Sequence, residues 1–309
     1  MSPGFFSFII WSMFSPFHRF QLLPALLLIM GLTACSSVFK PTPTPTPPIP
    51  TDTPLPPTPT PPPLAATVNG EYLTRAEFEE ELARYRSAQE ALGRTVSDED
   101  SRKAVLDDMT AQILLAQAAR AQGFELGDEE LQSRLDMLAE QSGGTDVLAK
   151  WEADHGYTEA SFGASLKRAA EAAWMRDKII AEVPTKADQV HIRQILTYNE
   201  TDARQALERL NGGTDFDELA SEYDPVTHGE LGWVPRGYLL DADLEAAVFS
   251  LEAGGVSAVI STPAGFHIVK VLAREQHELS PDALLTLQEQ ALKDWVEAQR
   301  QNSEIIIAP

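Results

Sequence analysis

The spacing of apolar residues changes character several times along the chain. Residues 22–32 form a nearly continuous apolar run, broken only by Pro24 and Gly31. The run is too short to span a bilayer, which needs about 20 apolar residues, and matches the apolar stretch of an export signal. Residues 41–63 show no apolar period at all. Residues 67–74 then read as a tight hairpin around Asn69-Gly70, a pair that accepts positive φ. Thr74-Arg-Ala-Glu77 is a capping box, and behind it Phe78, Leu82, Tyr85 and Leu92 recur at helical spacing. A second helix is expected from about Asp98 to Gln122, with Leu106, Met109, Ile113 and Leu114 on its face and Gly123 as its stop. Asp128 is expected to cap a third, carrying Leu131, Leu135 and Leu138, and a short piece follows around Val147 and Trp151. Thr158 opens a long helix through Phe162, Leu166, Ala170 and Trp174.

After Pro184 the pattern changes. Stretches 190–197, 231–234, 257–262 and 266–272 read as strands, and 202–210, 216–223 and 244–251 as helices. Helices covering one four-stranded antiparallel sheet give an α+β domain beside an all-helical one. Ser280-Pro281 sets an N-cap before a proline at the first helical position, opening a helix with Leu284, Leu287, Ala291 and Trp295. The expected organisation is a signal segment at 1–35, a linker at 36–66, a helical domain at 67–183, the α+β domain at 184–277, and a closing helix at 278–309 that packs back on the helical domain.

Composition narrows the possible functions. The 309 residues hold 24 Lys and Arg against 46 Asp and Glu, a net charge of -22. An acidic chain has little with which to neutralise phosphates, so gripping nucleic acid is excluded as its mode of action. The single cysteine, Cys35, excludes an intrachain disulfide framework and a Cys-rich zinc site. Residues 41–63 hold 13 of the 22 prolines and 7 threonines. Proline fixes φ and removes the amide donor, so this tract is an extended spacer of about 3.1 Å per residue. Past residue 63 there are 22 basic and 45 acidic side chains, a net of -23, so charge does not draw the body onto anionic headgroups. Leu32-Thr33-Ala34-Cys35 is similar to a bacterial lipobox, which implies that Cys35 is lipidated and that the protein is extracytoplasmic and tethered to the membrane by lipid.

The second domain resembles the parvulin-type peptidyl-prolyl isomerases. The resemblance rests on HIRQIL (191–196), LNGGTDFDELASEYD (210–224), GELGWVPRG (229–237) and LEAAVFSLEAGGVSAVISTPAGFHIVKV (244–271). VNGEYLTRAEFE (68–79) and the helices after it are similar to the chaperone domain of SurA/PrsA-type foldases, in which a parvulin domain precedes a last helix returning to the first domain. The resemblance implies cis-trans isomerisation of X-Pro bonds in unfolded or extended exported chains, together with chaperone activity. No bond is made or broken in that reaction, so neither cofactor nor metal is called for.

Carried over residue by residue, the resemblance places an apolar proline pocket on Leu231, on Leu239 or Leu240, and on Leu244, with Phe249 behind it. The family's central acid or thiol falls on Asp224, the last-strand histidine on His267, and the threonine before it on Thr262. Plain core packing remains an alternative for each leucine, and a turn role for Asp224. Two positions depart from the pattern. Gln194 stands where the family has a first-strand histidine, and His191, three residues earlier, falls on the opposite strand face. Ala264 stands where a serine or threonine is usual, and the 224–229 loop is about two residues short. These departures leave open a second reading: a catalytically silent chaperone that binds extended chains. Residues 198–202, Tyr-Asn-Glu-Thr-Asp, carry no base, which argues against selecting phosphorylated Ser/Thr-Pro.

Overall fold

The structure is a computed structural model and describes residues 62–308. Cys35, the signal segment and most of the proline-rich tract lie outside the described residues. Among the described residues no helix is long and apolar enough to cross a membrane.

Strands β1 (Leu64–Val68) and β2 (Glu71–Thr74) form the hairpin, turning at Asn69 with φ 51 and Gly70 with φ 83. Strand β1 begins at Leu64, so residues 64–66, expected in the linker, are part of the sheet. Helix α1 (Arg75–Ala91) starts on the expected box: Thr74 Oγ1 accepts the Glu77 N–H while Glu77 accepts the Thr74 N–H. Helices α2 (Asp98–Ala121), α3 (Asp128–Ser142), α4 (Thr145–Asp154) and α5 (Glu159–Ala181) follow, with Thr158 capping the last; α3 is entered through Gly127, so Asp128 is its first residue and not its cap. Phe78, Leu82, Val105, Met109 and Ile113 bury a core against Ala66, Val68 and Leu73 of the hairpin.

The second part is built on a four-stranded antiparallel sheet of order β4-β3-β6-β5. Its strands are β3 (Lys186–Thr197), β4 (Glu230–Pro235), β5 (Ile260–Thr262) and β6 (Gly265–Glu278). Helices α6 (Glu200–Asn211) and α7 (Phe216–Tyr223) cover one face through Ile195, Ala206, Phe216, Leu219 and Ile268. Helix α8 (Ala242–Ser250) covers the other through Leu244, Val248 and Phe249 against Val190, Ile192, Val269 and Val271. Strands β3 and β6 both run past the expected limits, to the pair Lys186–Glu278, and there the buried Gln189 donates from Nε2 to the carbonyls of His277 and Glu278.

Helix α9 (Pro281–Gln301) returns to the first part, where Ala291, Leu292, Trp295 and Val296 pack on Leu115, Ala119, Met175 and Ile179. Beyond it β7 (Ile305–Ile307) pairs with β1 and completes a β2-β1-β7 sheet. The first part is therefore not purely helical, and the closing segment is not a helix alone. Three isoleucines have no period of their own and become a strand only through the partner edge that β1 offers.

Candidate functional site

Side chains alternate across a strand, so Val190, Ile192 and Gln194 share the face of β3 that α8 covers, and His267, Val269 and Val271 share the same face of β6. The register pairs Gln194 with Val269 and Leu196 with His267, which makes Gln194 and His267 diagonal neighbours. On the next strand Ile260 pairs with His267 and Thr262 with Gly265, so Thr262 is diagonal to His267 in turn. The topology thus lays three polar side chains in a row across β3, β6 and β5.

The row is hydrogen-bonded throughout. His267 Nδ1 lies 2.8 Å from Gln194 Oε1, and His267 Nε2 lies 2.9 Å from Thr262 Oγ1. With the Gln194 carbonyl oxygen facing the ring, Nδ1 donates to it, and in the neutral ring Nε2 accepts from the threonine hydroxyl. The Ala264 N–H donates to Thr262 Oγ1 at 3.1 Å and fixes the hydroxyl. This assignment requires a neutral imidazole. Burial holds His267 below the usual histidine range, opposed in part by the Asp241 carboxylate.

Asp224 is not bonded into this row. It caps the end of α7, where Oδ1 accepts the N–H groups of Val226 and Thr227 at 3.1 Å and Oδ2 accepts the Thr227 hydroxyl. These donors, the Thr227 hydroxyl above all, hold its pKa at about 2, so at neutral pH Asp224 is an anion and cannot donate a proton. Its loop meets the row through Gly229, whose carbonyl accepts the Gln194 N–H at 2.8 Å.

The apolar residues divide. Leu244 and Phe249 are buried, and Leu239 packs partly buried against the same core. Leu231 is 39% exposed and Leu240 wholly exposed, so neither is a core residue. Leu231 turns outward because it is the extra residue where the β3–β4 register shifts, between the pairs Ile192–Gly232 and Arg193–Glu230. Arg236 lies 4.2 Å over the Phe249 ring. His191 is on the far face, as the odd spacing requires: its Nε2 lies 2.5 Å from Glu230 Oε1 and its ring stacks on Trp233. Glu230 at the start of β4 and Asp241 at the cap of α8 carry no signal in the sequence of what they face.

The site thus lies on a four-stranded sheet with two helices on one face and one on the other. Residues 181–273 match the PPIC-type PPIASE domain, or rotamase, and residues 60–142 match the SurA-like N-terminal domain. The chain joins a parvulin-type domain to a SurA-like N-terminal domain. It is 30% identical over 190 residues to the foldase protein PrsA of Oceanobacillus iheyensis, covering 57% of this chain and 63% of that one. It is 32% identical over 144 residues to the chaperone SurA of Methylobacillus flagellatus, covering 40% of this chain and 33% of the other. The chain thus spans less than two thirds of the length of either relative. A PrsA of Clostridium kluyveri is 25% identical over 286 residues, 77% of this chain and 82% of that one. Among solved structures, PrsA from Bacillus anthracis superposes with a TM-score of 0.41 at 20% identity, covering 64% of this chain and 94% of that one.

Proposed function

We propose that this chain is an extracytoplasmic foldase that isomerises X-Pro bonds in unfolded exported polypeptides, while its SurA-like part holds the extended client. The observation that carries the reading is the hydrogen-bonded row Gln194–His267–Thr262 in a domain of the rotamase type. Rotation about an X-Pro amide must cross a barrier of about 18–20 kcal/mol. Twisting the amide ends its resonance and makes the nitrogen more basic. Fixed dipoles that favour this twisted state over the planar one accelerate rotation without forming any bond.

In this reading Leu239 and Leu244, with Phe249 behind, receive the proline ring. The neutral His267 holds Thr262 and Gln194 in place, and the Asp224 anion disfavours the planar carbonyl's partial negative charge on the loop side. Leu231 and Leu240 contact residues flanking the proline. Lipidation at Cys35 tethers the molecule to the membrane, and the proline-rich tract spaces it from the surface.

The test is isomerisation of unphosphorylated Xaa-Pro peptides by the full-length protein beside Gln194→Ala, His267→Ala and Asp224→Ala. A rate well above the uncatalysed one, dropping at least tenfold in His267→Ala, is expected. One observation favours the second reading, a silent holdase: Gln194 occupies the place of a histidine. That reading requires no catalysed rate at all, with aggregation of an unfolded protein still suppressed.

A further inference from the structure

Strand β3 alternates without a break but lies between two neighbours that each carry an extra residue beside the site: Leu272 of β6, between the partners of His191 and Ile192, and Leu231 of β4, between the partners of Ile192 and Arg193. Both irregularities fall within three residues of Gln194. A strand that slips by one residue turns every side chain to the other face. Such a slip would put Arg193 or Ile195 toward His267 in place of Gln194.

One carboxylate spans this stretch. Glu230 Oε1 lies 2.5 Å from His191 Nε2 and accepts the Gly232 N–H at 3.0 Å, while Oε2 accepts Arg193 Nε at 2.8 Å. His191 and Arg193 are two apart on the far face, so gripping both fixes which face the next residue takes. The Gly232 bond closes the irregularity at Leu231 from the β4 side. Arg193 is held from its other end by Asp217, 3.1 Å from Nη1. The residue before the carboxylate completes the fit: Gly229, at φ 71, lies so close that a Cβ there would stand 2.0 Å from the Gln194 carbonyl oxygen.

We infer that Glu230 is a positioning residue for the site: by clasping His191 and Arg193 it sets the phase of β3 and so presents Gln194 to His267. This rests on the proposed function only for its consequence in turnover; the placement of Gln194 is a matter of geometry. It also gives His191 a purpose that does not require it to replace the missing histidine.

The experiment uses the full-length protein labelled with ¹⁵N-histidine, with His267→Gln to assign its ring signals. In Glu230→Ala the His267 Nδ1 signal is expected to move away from that of a hydrogen-bonded N–H, and kcat to fall at least tenfold with KM changed less than twofold. Glu230→Gln keeps the shape and one acceptor, and is expected to retain most of both. A merely structural role would lower thermal stability in both variants without moving the His267 ring. Should Glu230→Ala fail to fold, His191→Ala/Arg193→Ala removes the donors instead, with the same ring shift expected. An unchanged His267 spectrum in a folded variant lacking the clasp overturns the inference. A wild-type protein with no isomerase activity would remove the proposed function, yet the ring signals would still decide the role of Glu230.

Discussion

His267 carries the sharpest residue-level consequence. Burial lowers its pKa, and on protonation Nε2 changes from acceptor to donor toward Thr262 Oγ1, so the bond on the threonine side reverses direction. The unfolded chain takes up this proton before the folded one does. The stability the neutral imidazole brings is therefore fully present above the ordinary histidine value and is lost as pH falls through it toward the depressed folded value. Activity should accordingly persist to a lower pH than an ordinary histidine allows, then fall. Asp241→Asn keeps a side-chain oxygen to accept the Leu244 N–H but removes the carboxylate that favours the imidazolium. The acid limb of kcat/KM should therefore move further down in that variant. A limb that stays in place would show that Asp241 does not act on His267. Asp224, with its pKa near 2, contributes no limb above pH 4. His267 and Thr262 were legible from the sequence because a motif fixed them. Their hydrogen-bonded order was not, since it depends on the strand register.

At the scale of elements, the hairpin is tied to the helices by buried charge. Glu171 of α5 is fully buried, with Oε2 2.5 Å from Arg120 Nη1 of α2 and Oε1 accepting the Leu126 N–H. Arg120 reaches on to Glu71 of β2 at 2.5 Å, and Gln117 donates to the Val68 carbonyl and to Glu71. Removing Glu171 leaves Arg120 paired with Glu71 but takes the acceptor from the Leu126 N–H. Glu171→Ala should destabilise the protein by about 1–3 kcal/mol, read from the denaturant midpoint. Glu171→Gln, which still accepts at one oxygen, should cost less. The helices themselves were legible because caps and period agree, as at Thr74 and Thr158. The network was not: Glu71, Arg120 and Glu171 stand 49 and 51 residues apart.

At the scale of the molecule, the chain closes on itself twice. The parvulin-type sheet is entered and left through the paired ends of β3 and β6, and the Leu279 N–H donates to the Thr185 carbonyl at their base. The chain end then completes the first sheet. The Asn69 N–H donates to the Glu304 carbonyl, Asn69 Oδ1 accepts the Glu304 N–H, and Ile305 packs against the first core. Truncation after Asn302 removes β7 and bares β1. It should cost about 2 kcal/mol of stability from lost strand pairing and burial. The amide signals of residues around Gln194 and His267 should stay in place, and a shift there would mean that the two parts are coupled through the chain end.

Residue types and local spacing were enough to determine the helices, the hairpin and the change to a sheet after Pro184, while the residues of the candidate site were named from the family resemblance. Each of these depends on interactions within a few residues, or on a motif read directly. Tertiary structure alone decided that 305–307 is a strand, that Leu231 turns outward, and that Glu230 reaches around Ile192 to hold the strand bearing Gln194. Those outcomes depend on which strand edge, irregularity or charge lies alongside, and partners distant in sequence leave no local pattern to read.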